Sequence, residues 1–87
     1  MHEASLIRNL MHRIEEIAET EGAKRVVSVS VWLGALSHMS ERHFIEHFND
    51  AAKGTIAEDA ELAITLSTDT DHKDAQELLL DSIEVEV

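Results

Sequence analysis

The spacing of apolar residues changes along this chain, and the changes leave few folds open to it. From Ala4 to Thr20 the apolar residues are Leu6, Ile7, Leu10, Met11, Ile14, Ile17 and Ala18. Steps of three and four place them on one face of an amphipathic helix. Ser5 is read as its cap, or Glu3 and Ser5 together as favouring its positive end, and Gly22 as its stop. The period then drops to two. In KRVVSVSVWLG, Val27, Val29, Val31 and Leu33 alternate with Val26, Ser28, Ser30 and Trp32. That is a strand rich in β-branched residues, ended by Gly34, and the Val27-to-Leu33 face is expected to be buried.

Helical spacing returns after Ser40, a predicted N-cap with Glu41 in the first turn. Phe44, Ile45, Phe48, Ala51 and Ala52 form its expected buried stripe, and Gly54 closes it. AELAITL (60–66) reads as a strand with Leu62, Ile64 and Leu66 on one face. ELLLDSIEVEV (77–87) reads as another, with Ile83, Val85 and Val87 opposing Glu84 and Glu86. Between them, STDTDHKDAQ is polar and reads as a solvated loop. The last two strands can pair as an antiparallel hairpin, and the strand–helix–strand stretch permits a parallel crossover. The expected class is α+β: two helices on one face of a three-stranded mixed sheet, in the order helix, strand, helix, strand, strand, within one domain of residues 1–87.

Composition narrows what such a domain can do. Trp32, Phe44 and Phe48 are the only aromatic residues, so the core must be chiefly aliphatic. No cysteine is present, which excludes disulfides, zinc ribbons and thiol nucleophiles. A formal net charge of −11 repels nucleic-acid phosphates and anionic lipid headgroups while suiting cations and basic protein patches. There is no apolar run of membrane-spanning length, and the start lacks a basic-then-apolar leader. A cytoplasmic protein that binds neither nucleic acid nor membrane is expected.

Six histidines raise the question of metal. HFIEH (43–47) formally matches the His-x-x-Glu-His of inverted zinc peptidases, in which His43 and His47 would share a metal and Glu46 would act as base. Such enzymes need a third ligand and a cleft for which this chain is short. A solvated helix face is the better reading, and a weak His43–His47 metal site lies between the two. His12 reads as an ion-paired surface residue and His72, among Asp69, Asp71 and Asp74, as part of a solvated turn. His38 follows the Gly34–Ser37 turn, which could approach the amino terminus.

His2 is different. Methionine aminopeptidase prefers a small second residue, so Met1 should be retained. The terminal amine, the His2 amide and imidazole, and the Glu3 amide or carboxylate can then chelate one ion. A planar set of nitrogen donors suits Ni(II) or Cu(II) rather than zinc or magnesium. The alternative is a frayed end carrying a chance histidine, and chemistry alone leaves both open.

The motifs together resemble the HypA/HybF family of nickel metallochaperones for NiFe-hydrogenase maturation, some of which also serve urease. Met1-His2-Glu3, Gly34-Ala35-Leu36-Ser37, Phe44 and Phe48, Gly54-Thr55 and Ser82-Ile83-Glu84-Val85 occur in the family's order. The family inserts a zinc domain with two Cys-x-x-Cys pairs between the second and third strands, where this chain has only 67–76. The resemblance implies a non-enzymatic protein that binds Ni(II) and no zinc, through Met1, His2 and Glu3. His38, His43 and His47 are candidate further ligands. It also implies a HypB-type GTPase and a hydrogenase large-subunit precursor as partners, and a homodimer is compatible with it. Protonation of His2 or of the amine would weaken binding. The alternative is a zinc-free paralogue that serves hydrogenase biogenesis as an interaction or regulatory module without moving metal.

Overall fold

The computed structural model describes residues 2–87, with side chains described from residue 4 onward. Helix α1 spans His2–Thr20. It starts earlier than the apolar spacing predicts, so Ser5 lies inside the helix and is not its cap. The leading residues carry no apolar stripe, and hydrophobic period alone could not see that turn. Ile7, Leu10, Met11, Ile14 and Ala18 are buried as expected.

The far end of α1 is closed by its own backbone. Gly22 adopts φ 65°, Gly22 N–H donates to Glu19 C=O at 3.1 Å and Ala23 N–H to Ala18 C=O at 3.0 Å. This pair of bonds is a Schellman motif, which satisfies carbonyls that the helix leaves open and needs a left-handed residue at the position of Gly22.

Strand β1 (Arg25–Leu33) buries Val26, Val29, Val31 and Leu33, not the uninterrupted Val27-to-Leu33 set. Against β3 (Leu78–Glu86), the register shifts between Val26 and Ser28. Val27 is therefore an extra residue in a β-bulge, and the bulge flips the inward alternation. A second shift between Ser30 and Val31 leaves Asp81 as the extra residue on β3 and restores the original offset. Asp81 and Ser82 consequently both face solvent, while Leu78, Leu80, Ile83 and Val85 are partly buried. Val87 lies past the strand and is exposed.

Helix α2 (Glu41–Ala52) starts where expected: the Ser40 side chain accepts a bond from His43 N–H at 3.1 Å. Phe44 and Phe48 are fully buried with ring centroids 5.7 Å apart. Strand β2 (Glu61–Leu66) places Leu62 and Ile64 toward the core, but Leu66 is 52% exposed. As the last residue of an edge strand, Leu66 has left the cover that its alternation implied.

The sheet order is β2-β1-β3, with β2 parallel and β3 antiparallel to β1. The expected β2–β3 hairpin does not form. The crossover through α2 lays β2 along one side of β1, and β3 takes the other side. Both helices pack against the sheet and each other, α1 over β3 and α2 over β2. The opposite face carries Ser28, whose hydroxyl donates to Glu84 at 2.7 Å, and an exposed Arg25–Glu86 pair at 3.2 Å.

This connectivity decides which chain segments meet. Leu33 pairs with both Leu66 and Leu78, so the end of β1, the end of β2 and the start of β3 lie together. At the other end of β1, Val26 N–H donates to Ile56 C=O at 2.9 Å, just beyond α2. The helices therefore both run opposite to β1. The beginnings of α1 and α2, the 34–40 turn and the 67–77 loop all gather around the carboxyl end of β1.

Candidate metal centre

In α/β sheets, ligands are commonly taken up outside the carboxyl ends of parallel strands, where loops of free sequence converge. Here that end also collects histidine. His2 lies in the first turn of α1 and His38 in the 34–40 turn. His43 lies near the start of α2, His47 one turn further in, and His72 in the 67–77 loop. Met1 lies outside the described residues, as do the side chains of His2 and Glu3, whose backbones form the start of α1.

His38 is exposed and adopts φ 60°, a left-handed conformation that few side chains accept without local support. Its neighbours supply that support: Ser37 and Met39 are both buried, and Ser37 N–H closes the turn on Gly34 C=O at 3.1 Å. His43 and His47 are exposed on α2 with ring centroids 6.2 Å apart. Among the described residues, no three His, Cys, Asp or Glu side chains are grouped to hold a metal ion. Among the described residues, the HFIEH motif is thus joined by no third metal ligand.

His47 and Ala4 line one groove between α1 and α2, together with Met11, His12, Asp50 and Thr55. Thr55 Oγ1 lies 4.0 Å from Met11 Sδ within it. His12 is exposed on this wall, midway along α1. It stands eight residues from Ala4, about 12 Å along the axis at helical rise.

The 67–77 loop is docked, not merely solvated. Ser67 N–H donates to Leu33 C=O at 2.9 Å, Gly34 N–H to Glu77 C=O at 2.9 Å and Leu36 N–H to Ala75 C=O at 2.6 Å. Ala75 is buried, and a Cβ on Gly34 would fall onto the Ala75 carbonyl. Asp69 Oδ1 accepts from Asp71 N–H and His72 Nδ1 from Asp74 N–H, each at 2.9 Å. The His72 ring packs against Trp32 at a tilt of 48°, with centroids 4.9 Å apart. Sequence reasoning missed this contact; a lone Trp on the solvent side of a strand was the available signal.

The family model described as hydrogenase/urease nickel incorporation, metallochaperone, hypA, matches residues 1–70. Hydrogenase maturation factor HypA of Aquifex aeolicus is 42% identical over 67 residues, covering 76% of this chain and 57% of that protein. Hydrogenase maturation factor HybF of Salmonella typhimurium is 41% identical over 64 residues, covering 74% and 57%. The chain thus spans little more than half the length of these curated relatives. In fold it is similar to the solution structure of the Ni metallochaperone HypA from Helicobacter pylori. The TM-score is 0.79 at 23% identity, over 99% of this chain and 98% of that one. The family match ends inside the 67–77 loop, and the likeness of β3 is carried by structure. On the residues matched, the chain belongs to the HypA family of nickel-incorporation proteins.

Proposed function

We propose that this protein binds Ni(II) at Met1-His2-Glu3 and passes it on during maturation of a NiFe hydrogenase, as a carrier and not a catalyst. The observation that carries this reading is the start of α1 at His2. The first backbone N–H groups of an α-helix have no acceptor within the helix. The His2 and Glu3 amides are therefore spared by the secondary structure and remain available as nitrogen donors beside the Met1 amine and the His2 imidazole. The positive end of the helix disfavours a bare cation. Anionic donors, either deprotonated amides or the Glu3 carboxylate, must outweigh it. Such a nitrogen-rich set favours nickel over harder cations.

Release then requires exchange of these donors for those of an acceptor protein. We assign the partners as a HypB-type GTPase and a hydrogenase large-subunit precursor, both in the cytoplasm. The net charge of −11 suits a basic partner patch and an association that slows as salt rises. The docked 67–77 loop stands where the family carries its zinc domain, and residues 1–87 act as the nickel half without bound zinc. The test is transfer. Full-length protein with a native Met1, loaded with nickel, is mixed with nickel-free hydrogenase precursor, and the metal is followed after separation. Nickel on the precursor supports the reading. A stable complex without transfer would make the protein an interaction module instead.

A further inference from the structure

We infer that the open face of the sheet is the docking surface for a basic partner protein, an inference that rests on the partner class proposed above. Both helices pack on the opposite face. The register arranges the open face as rows across the three strands. One row, Glu61–Ser28–Glu84, lies near the amino end of β1, and another, Thr65–Trp32–Leu79, near its carboxyl end. Between them the row of Ala63, Ser30 and Ser82 carries only small side chains, so the face is a shallow trough. Ser28 and Trp32 are four residues apart, about 13 Å at strand rise.

The two outer rows have different chemistry. Glu61 and Glu84 are exposed on either side of Ser28, and neither has an ion-pair partner among the described residues. Cross-strand neighbours stand about 5 Å apart at Cβ, so these carboxylates frame a cradle wide enough for a lysine or arginine head. Ser28 donates to Glu84 at 2.7 Å and steadies one wall of it. The only cation on this face, Arg25, is already drawn to Glu86 at 3.2 Å. At the other end Leu79 is 38% exposed beside the half-buried Trp32, whose ring meets His72 at 4.9 Å. Adjoining apolar side chains within a polar rim are the anatomy of a protein interface, and tryptophan is among its commonest anchors.

Charge decides the occupant. A second copy of the chain would bring the same carboxylates to a two-fold contact and set like charge against like. Phosphate-bearing partners are repelled in the same way. The chemistry that fits is a protein presenting a lysine or arginine to Glu61 and Glu84, and a large apolar side chain to Trp32 and Leu79, about 13 Å away.

The experiment titrates the full chain, free of nickel, with the HypB-type GTPase and separately with the hydrogenase large-subunit precursor, followed by calorimetry at two salt concentrations. The variants are Leu79→Ser, the double change Glu61→Lys with Glu84→Lys, and Glu15→Lys on α1 as a charge control away from the sheet. All four side chains are exposed, so far-ultraviolet circular dichroism should be unchanged in each variant. Expected is binding of at least one of the two proteins, weakened roughly tenfold or more by Leu79→Ser and by the double change, and unaltered by Glu15→Lys. The double change should also flatten the dependence on salt. If a partner binds and both sheet-face variants keep wild-type affinity, this inference is overturned and the partner assignment stands. If neither protein binds the wild-type chain, the assignment and this inference fall together. A wild-type dimer that Leu79→Ser converts to monomer would give the face to a second copy and overturn the inference as well.

Discussion

The two ends of the sheet are built differently. At the amino end of β1 the chain turns back tightly. The Schellman motif at Gly22 closes α1, Gly54 with φ 76° follows α2, and Val26 is tied to Ile56. None of the described histidines lies in those turns. At the carboxyl end one histidine sits in a left-handed conformation, another packs against Trp32, and the starts of both helices converge. One end serves to close the fold. The other has the donors and the freedom to handle a ligand, and the shared core of α1, α2 and β1 keeps the two apart.

Breaking that shared core should have the largest effect. Phe48→Ala empties a fully buried site between helix and sheet and should cost about 3–5 kcal/mol, read as a lower midpoint in urea unfolding. Next is Gly34→Ala at the carboxyl end, where the new methyl group meets the Ala75 carbonyl. A loss of about 1–3 kcal/mol is expected. Faster hydrogen exchange at Leu36, whose amide bonds Ala75 C=O, would show that the 67–77 loop has lifted. Gly22→Ala strains the closed end alone, at about 1 kcal/mol, with exchange at Leu36 unaltered. His72→Ala should be the mildest, below about 1 kcal/mol, with a change in Trp32 fluorescence as the neighbouring ring leaves. Equal loosening of Leu36 by Gly22→Ala and Gly34→Ala would show that the ends are not independent.

The elements and their class were legible because hydrophobic period and punctuation agreed. Ser40, Gly22 and Gly54 did what their chemistry predicts. What escaped depended on pairing between distant segments. Val27 looked inward until β3 opposed it out of step, since a bulge belongs to two strands and leaves no mark on one. The β2–β3 hairpin looked natural because those strands are neighbours in sequence, yet β1 had two edges to fill. Ser5 was misplaced because the residues of the first turn form no apolar stripe that would signal a helix. For the site, Met1-His2-Glu3 could be read only by resemblance and donor chemistry. The gathering of His38, His43, His47 and His72 near the same end needed the topology.

The most direct test of the account is nickel binding by the full chain with an untagged Met1, measured by calorimetry and d–d absorption beside His2→Ala. The account predicts one tight site per chain with a nitrogen-rich ligand-field spectrum, absent from His2→Ala. Equal, weak binding by both proteins would contradict it, and the start of α1 would then be ordinary helix.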